Sequence, residues 1–312
     1  MTVGNLALLA LLTFSLAALS PGHAQVAMEP RPQPPAKTAR PDLRADSNLV
    51  LVPVTVVDRL NHPVTGLERE NFRVFDDGVE RTISAFAMED EPLAVGLVFD
   101  HSGSVGPVMR GEALATRMFL KFSNPADEYF LVVFASRPQM ASAMTPGTEE
   151  VQYRLLTMSS GGSTALYDGV ILGLNELRKS TLKRKALLVV SDGGENNSRY
   201  NRRELERIVE ESDALIYAIG FESYEADFGL LKWMAELSGG RAFPAKPQEM
   251  ADIAAKIGVE LRNRYVLGFA ASEVPRDGKY HRLQVQLIPP HGMPPLKASW
   301  RQAYRAPGDA AR

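Results

Sequence analysis

The sequence predicts an α/β chain: a doubly wound, mostly parallel sheet inserted in a small β-sandwich formed by the flanking segments. Three observations carry this. Between residues 91 and 262, apolar strand runs alternate with helical stripes, the pattern of a parallel sheet with helices on both faces. Residues 48–90 and 263–305 are β-rich instead. Each of these flanks is short for an independent fold, which favours one shared sandwich over two separate β extensions.

The 312 residues suffice for a large core and one or two domains. Hydrophobic content of 45% and charged content of 23% are ordinary for a globular protein. A formal net charge of -2 with no basic patch gives no reason to expect a nucleic-acid partner. The absence of cysteine removes thiol catalysis, thiolate metal sites and disulfides.

Taken in order, the chain opens with an uncharged apolar run, Leu6 to Leu19, followed by small residues at Gly22 and Ala24. The run is short for a membrane span. It reads as a signal peptide over 1–24, cleaved after Ala24, although Met1 to Asn5 lacks the usual Lys or Arg. An uncleaved membrane anchor is the alternative, and both place the remainder outside the cytoplasm. Residues 25–47 carry Pro30, Pro32, Pro34, Pro35 and Pro41 with almost no large apolar residue, as expected of a disordered tether.

In the first β segment, Leu49 to Val57 is rich in β-branched residues, and Asn61 to Gly66 is turn chemistry. Leu67 to Phe72 reads as a helical turn. Asp76-Asp77-Gly78 separates β-prone runs at Phe72 to Phe75 and Val79 to Phe86, a strong hairpin signal because both central turn positions need positive φ. Leu93 to Phe99 is a continuous apolar run, which fits a strand buried on both faces. Pro107 suits a first helical position, and Val108, Ala115, Phe119 and Phe122 make one apolar stripe behind it. Strands are then expected at Tyr129 to Ala135, Gln139 to Met144 (an edge), Ala186 to Val190, Ala214 to Phe221 and Arg241 to Pro244. Helices are expected at Thr164 to Lys179, Asn201 to Ser212, Phe228 to Leu237 and Gln248 to Arg262. Beyond Arg262, strands return at Tyr265 to Phe269, Arg282 to Leu287 and Ala298 to Tyr304, before a tail over 306–312.

Three stretches place oxygen-bearing side chains next to strand or helix ends: Asp100-His101-Ser102-Gly103-Ser104, Gly161-Gly162-Ser163-Thr164 and Ser191-Asp192-Gly193-Gly194. Ligands of open α/β sheets bind outside the carboxyl ends of the strands, so Asp100, Ser102, Ser104, Thr164 and Asp192 are expected to share one sheet edge. Two carboxylates and three hydroxyls are hard donors that favour Mg²⁺, with Ca²⁺ or Mn²⁺ possible, over zinc or copper. A carboxylate of a partner protein is the natural ligand for a remaining position. Structural roles stand beside this one: Asp and Ser populate caps and turns in any case. His101 reads as structural or solvent-facing, Glu195 as a solvated loop acid, Asp168 as a local hydrogen-bonding group, and Phe228 and Trp233 as core.

At these residues the chain resembles the von Willebrand factor A family, whose Asp-x-Ser-x-Ser motif Asp100 to Ser104 fits, with Thr164 and Asp192 matching its threonine and second aspartate. Val52 to Val56, Pro63 to Leu67, Phe75 to Gly78, Gly162 to Asp168 and Arg264 to Phe269 further resemble its bacterial secreted subgroup labelled acidobacterial A-domain-related. The likeness runs over residues 48–305. It implies a metal-ion-dependent adhesion site in which Ser102, Ser104 and Thr164 touch the metal, the aspartates act through water, and an acidic side chain of a bound protein completes the shell. Gly162-Ser163-Thr164 has one residue more than the subgroup's Gly-Thr, which makes Ser163 the fallback ligand.

The expected function is therefore that of an exported binding module, not an enzyme, with no small-molecule cofactor beyond the metal. The alternatives are a metal-independent structural subunit of an envelope assembly and, further off, a metal-dependent hydrolase. Ser102 stands where an aspartyl phosphotransferase needs a second acid, no Gly-x-Ser-x-Gly elbow is present, and neither a Walker loop nor a dinucleotide fingerprint occurs.

Overall fold

A computed structural model describes residues 49–89, 91–103, 105, 109–157, 160–223 and 226–306. The leader and tether expected over 1–47, the helix start at Pro107, and Ser104 lie outside the described residues. In chain order the strands are β1 (Leu49–Val57), β2 (Phe72–Asp76), β3 (Val79–Arg81), β4 (Ala85–Glu89), β5 (Leu93–Asp100), β6 (Glu128–Phe134) and β7 (Pro138–Thr145), then β8 (Arg184–Ser191), β9 (Leu215–Phe221), β10 (Ala242–Ala245), β11 (Arg264–Ala270), β12 (Tyr280–Leu287), β13 (Lys297–Trp300) and β14 (Ala303–Arg305). The helices are α1 (Met109–Leu120), α2 (Glu149–Thr157), α3 (Leu166–Leu177), α4 (Arg202–Glu210), α5 (Phe228–Ser238) and α6 (Met250–Arg262).

The central sheet has the order β10-β9-β8-β5-β6-β7. Its pairs are parallel except for the edge pair β6–β7. Alternation along β5 explains the layers. Leu93, Val95, Leu97 and Phe99 join a core with Ala115 and Phe119 of α1, Val151 of α2 and Ile257 of α6. Ala94 and Val98 join an opposite core with Leu174 of α3, Leu205 of α4 and Leu231 of α5. Every residue of β5 is buried, as expected of a strand covered on both faces. Gly96 is required between the layers, since a Cβ there would stand 2.3 Å from Phe130 Cζ and 2.4 Å from Leu187 Cδ2.

The flanking segments form two antiparallel sheets, β13-β1-β11-β4 and β14-β12-β2-β3. Their inward residues, among them Val52, Val54, Val74, Leu267, Phe269 and Val285, make a third core. Both sheets draw strands from before and after the α/β part, so the insertion expected from the sequence is the architecture found. Asp77 and Gly78 have φ of 47° and 81°, the paired positive values that the β2–β3 hairpin requires.

Two expected strands are in fact pairs. The run Val79 to Phe86 breaks at Thr82-Ile83-Ser84: β3 pairs with β2, whereas β4 pairs with β11 in the other sheet. Ile83 is buried at this corner and the Ser84 amide donates to the Gly268 carbonyl at 2.8 Å. Ala298 to Tyr304 divides in the same way, β13 joining β1 and β14 joining β12. Strands that change sheets make the corners of a sandwich, and hydrophobic alternation alone does not mark them. Helix α2 was not expected from the sequence; its inward residues are few, chiefly Val151 and Leu155.

Candidate metal centre

The chain enters the central sheet at β5, adds β6 on one side, and later returns to place β8 on the other. The order therefore reverses between β5 and β8, and ligands of open α/β sheets bind at such a switch point, beyond the carboxyl ends of the strands. Asp100 is the last residue of β5, and Asp192 follows the last residue of β8. Both are buried.

Each carboxylate is held by neutral donors. Asp100 Oδ1 accepts the Ser102 amide at 2.9 Å, and Oδ2 accepts the Ser191 hydroxyl at 2.7 Å. Asp192 Oδ1 accepts the Gly194 amide at 2.8 Å, and Oδ2 accepts the Ser223 hydroxyl at 2.5 Å. The Ser191 hydroxyl also accepts the Gly193 amide at 3.0 Å, tying the two acids into one frame. Gly193 has φ of 81°, and a Cβ there would meet the Asp227 carbonyl oxygen at 2.2 Å, so this turn admits glycine alone.

The Gly-Gly loop completes the edge. Gly103 donates its amide to Gly162 at 3.0 Å and Gly161 donates to His101 at 2.8 Å, which fastens the loop to the strand-end motif. Thr164 is buried just before α3, its amide donating to Asn196 Oδ1 at 2.9 Å while its carbonyl accepts from the amides of Asn196 and Asn197. Ser163 is exposed, and its amide donates to Ser136 Oγ. Burial thus separates Thr164 from its fallback neighbour. Ser102 is buried with the acids.

Glu195, Asp168 and His101 take up fixed places around these loops. Glu195 organises its loop instead of being only solvated: Oε1 accepts the amides of Asn197 and Ser198, and Oε2 accepts the Tyr167 amide and the Ser198 hydroxyl. Asp168 is buried and accepts the amides of Arg199 and Tyr200, which fixes the far end of that loop. His101 is buried, which agrees with the structural one of the two roles expected for it. Ser223 and Asn196 escape sequence reasoning, because single polar residues in loops carry no pattern of their own; Ser191 stands in one of the three oxygen-bearing stretches, but its bond to Asp100 does not show in the sequence.

Burial pushes the Asp100 carboxyl above its ordinary value; hydrogen bonds from Ser102 and Ser191 oppose this, and the charge of Asp192 adds to it. On α1, the buried Glu112 is raised well above the usual carboxylate range, by burial first and by the Asp100 charge second. Among the described residues no Lys or Arg pairs with Asp100 or Asp192, and the other ion pairs lie elsewhere. Buried anions are costly unless paired or bound to metal. Two buried aspartates with neutral donors around them fit a hard divalent cation in chemistry.

No family model matches the sequence, and no curated protein matches it. Among solved structures, the chain is similar to a von Willebrand factor type A protein from Catenulispora acidiphila, with a TM-score of 0.50 and 10% identity over 83% of this chain and 72% of that one. The fold is that of a von Willebrand factor A protein. Lower-scoring similarities are to the conserved hypothetical protein BatB from Bacteroides thetaiotaomicron (TM-score 0.44, 16% identity, 55% of this chain and 100% of that one) and to the vWF domain of the type V pili tip protein Mfa5 from Porphyromonas gingivalis (TM-score 0.45, 15% identity, 55% and 95%). At the β5–β8 edge described above lie Asp100, Ser102 and Asp192, and the loop that leads to Thr164 is fastened there through Gly103–Gly162 and Gly161–His101.

Proposed function

We propose that this chain is an exported binding module that grips an acidic side chain of a partner protein through a divalent cation. Asp100, Ser102, Ser104, Thr164 and Asp192 would hold the ion, with Mg²⁺ preferred and Ca²⁺ or Mn²⁺ as substitutes. The observation that carries this reading is the pair of buried aspartates at the β5–β8 switch point, each held by neutral donors. The cation would supply the missing positive charge and present an open position to the partner. The protein's own part is to fix the acids and hydroxyls beforehand, through Ser191, Ser223 and Asn196, so that little is reorganised on binding. Export rests on the apolar run Leu6 to Leu19 and the proline-rich stretch behind it. Binding is favoured over catalysis because the aspartates are engaged in holding the site and no nucleophile elbow accompanies them.

Titration calorimetry with Mg²⁺ tests this on the chain and on Asp192→Ala. The expected result is saturable binding in the parent and loss of at least tenfold in affinity in the variant. Equal heats in both, or none in the parent, contradict the reading.

A further inference from the structure

A second cluster of metal-binding side chains lies in the β-sandwich. Asp76, Asp77 and His281 bring one ligand atom each to within 4.8 Å of one another. Asp76 ends β2, Asp77 is the first residue of the hairpin turn, and His281 is an inward residue of β12. We propose that these three side chains form a zinc site.

The histidine carries the inference. His281 is 5% exposed. Its Nε2 lies 3.3 Å from Asp277 Oδ1, within reach of a hydrogen bond when the ring proton sits on that nitrogen. In that tautomer the lone pair is on Nδ1. That nitrogen is buried, makes no hydrogen bond, and lies 3.0 Å from Asp77 Oδ2 and 3.4 Å from Asp76 Oδ1. A lone pair facing two carboxylate oxygens is repelled by both unless a cation stands between them. A histidine whose second nitrogen is tied to a carboxylate is the usual arrangement for a metal ligand.

The remaining contacts leave the needed oxygens in place. Asp77 Oδ1 accepts the Arg282 amide at 2.8 Å, which leaves Oδ2 turned toward the ring. Asp76 Oδ2 is taken by Arg81 at 2.9 Å, while Oδ1 has only a 3.3 Å contact from the Tyr304 hydroxyl. Each acid can thus give one oxygen. In a tetrahedral zinc shell, Zn–N and Zn–O bonds of about 2.0–2.2 Å put neighbouring donors roughly 3.3 Å apart, which the 3.0 and 3.4 Å separations bracket. One imidazole and two carboxylates suit zinc better than Mg²⁺. The fourth position falls to water. Bound zinc would pin the β2–β3 hairpin to β12 and so join two segments some two hundred residues apart.

Calorimetric titration with Zn²⁺ in excess Mg²⁺ tests this on the full chain, His281→Gln and Asp77→Asn. Asp77 is half exposed, so its variant keeps the test open should His281→Gln fail to fold. The expected result is one more zinc bound by the parent than by His281→Gln, and at least a tenfold loss of affinity at that site in Asp77→Asn. No zinc bound by the parent, or the same isotherm for the parent and Asp77→Asn, overturns the site. Neither outcome depends on whether the α/β site binds Mg²⁺.

Discussion

Glu112 occupies a position in α1 where the apolar stripe calls for a hydrophobic side chain. Val108, Glu112, Ala115, Phe119 and Phe122 follow one another at spacings of four and three, so an acid on that stripe was visible in the sequence as an anomaly. In the structure it is buried, near enough to Asp100 for that charge to act on it, and its Oε1 makes no hydrogen bond. Leaving a buried polar atom unsatisfied costs about 1–3 kcal/mol. Glu112→Met, of similar length, is expected to raise the unfolding free energy of the metal-free protein by about 1 kcal/mol, as read by urea denaturation; a loss of stability would contradict this. The same contrast governs what could be read of the site. Asp100, Thr164 and Asp192 were legible because each adjoins a strand or helix end within a run of small polar residues. Ser223 and Asn196, and the bond from Ser191 to Asp100, were not, because they depend on neighbours far away in the chain.

At the scale of elements, the sheet strands were legible where burial on both faces leaves continuous apolar runs, as in β5, β8 and β9. The sandwich strands were legible as β but not as to where they break, since the corners at Thr82-Ile83-Ser84 and Arg301-Gln302 preserve the polarity of a strand. Helix α6 carries a further test. Glu260 Oε1 accepts the Tyr217 hydroxyl of β9 at 2.8 Å, and Oε2 accepts Arg241 Nη1 at 2.8 Å. Arg241 also donates through Nη2 to Asn61 of the sandwich, so one acid connects the layers. Burial pushes the Glu260 carboxyl above its ordinary value of 4.5, against the opposing pull of Arg241 and Tyr217. The folded state thus keeps this proton to higher pH than the unfolded state does. Its contribution is full below about 4.5 and is lost as pH rises through the folded value. Urea unfolding of the parent and Glu260→Gln between about pH 4 and 7 is expected to show the parent losing stability relative to the variant as pH rises. A difference that moves the other way would contradict the assignment.

On the scale of the whole molecule, the sandwich is built from strands separated by the entire α/β insertion: β1 pairs with β11 and β13, and β2 with β12. Composition could indicate that two short β segments need one another, but not which strands pair, because partner choice is settled by packing between distant residues. If the loops that carry Asp100, Thr164 and Asp192 converge on one cation, anomalous scattering from crystals soaked in Mn²⁺ will show a peak bounded by Asp100, Ser102, Thr164 and Asp192; a map with no peak there, or with peaks only elsewhere on the molecule, would contradict that convergence.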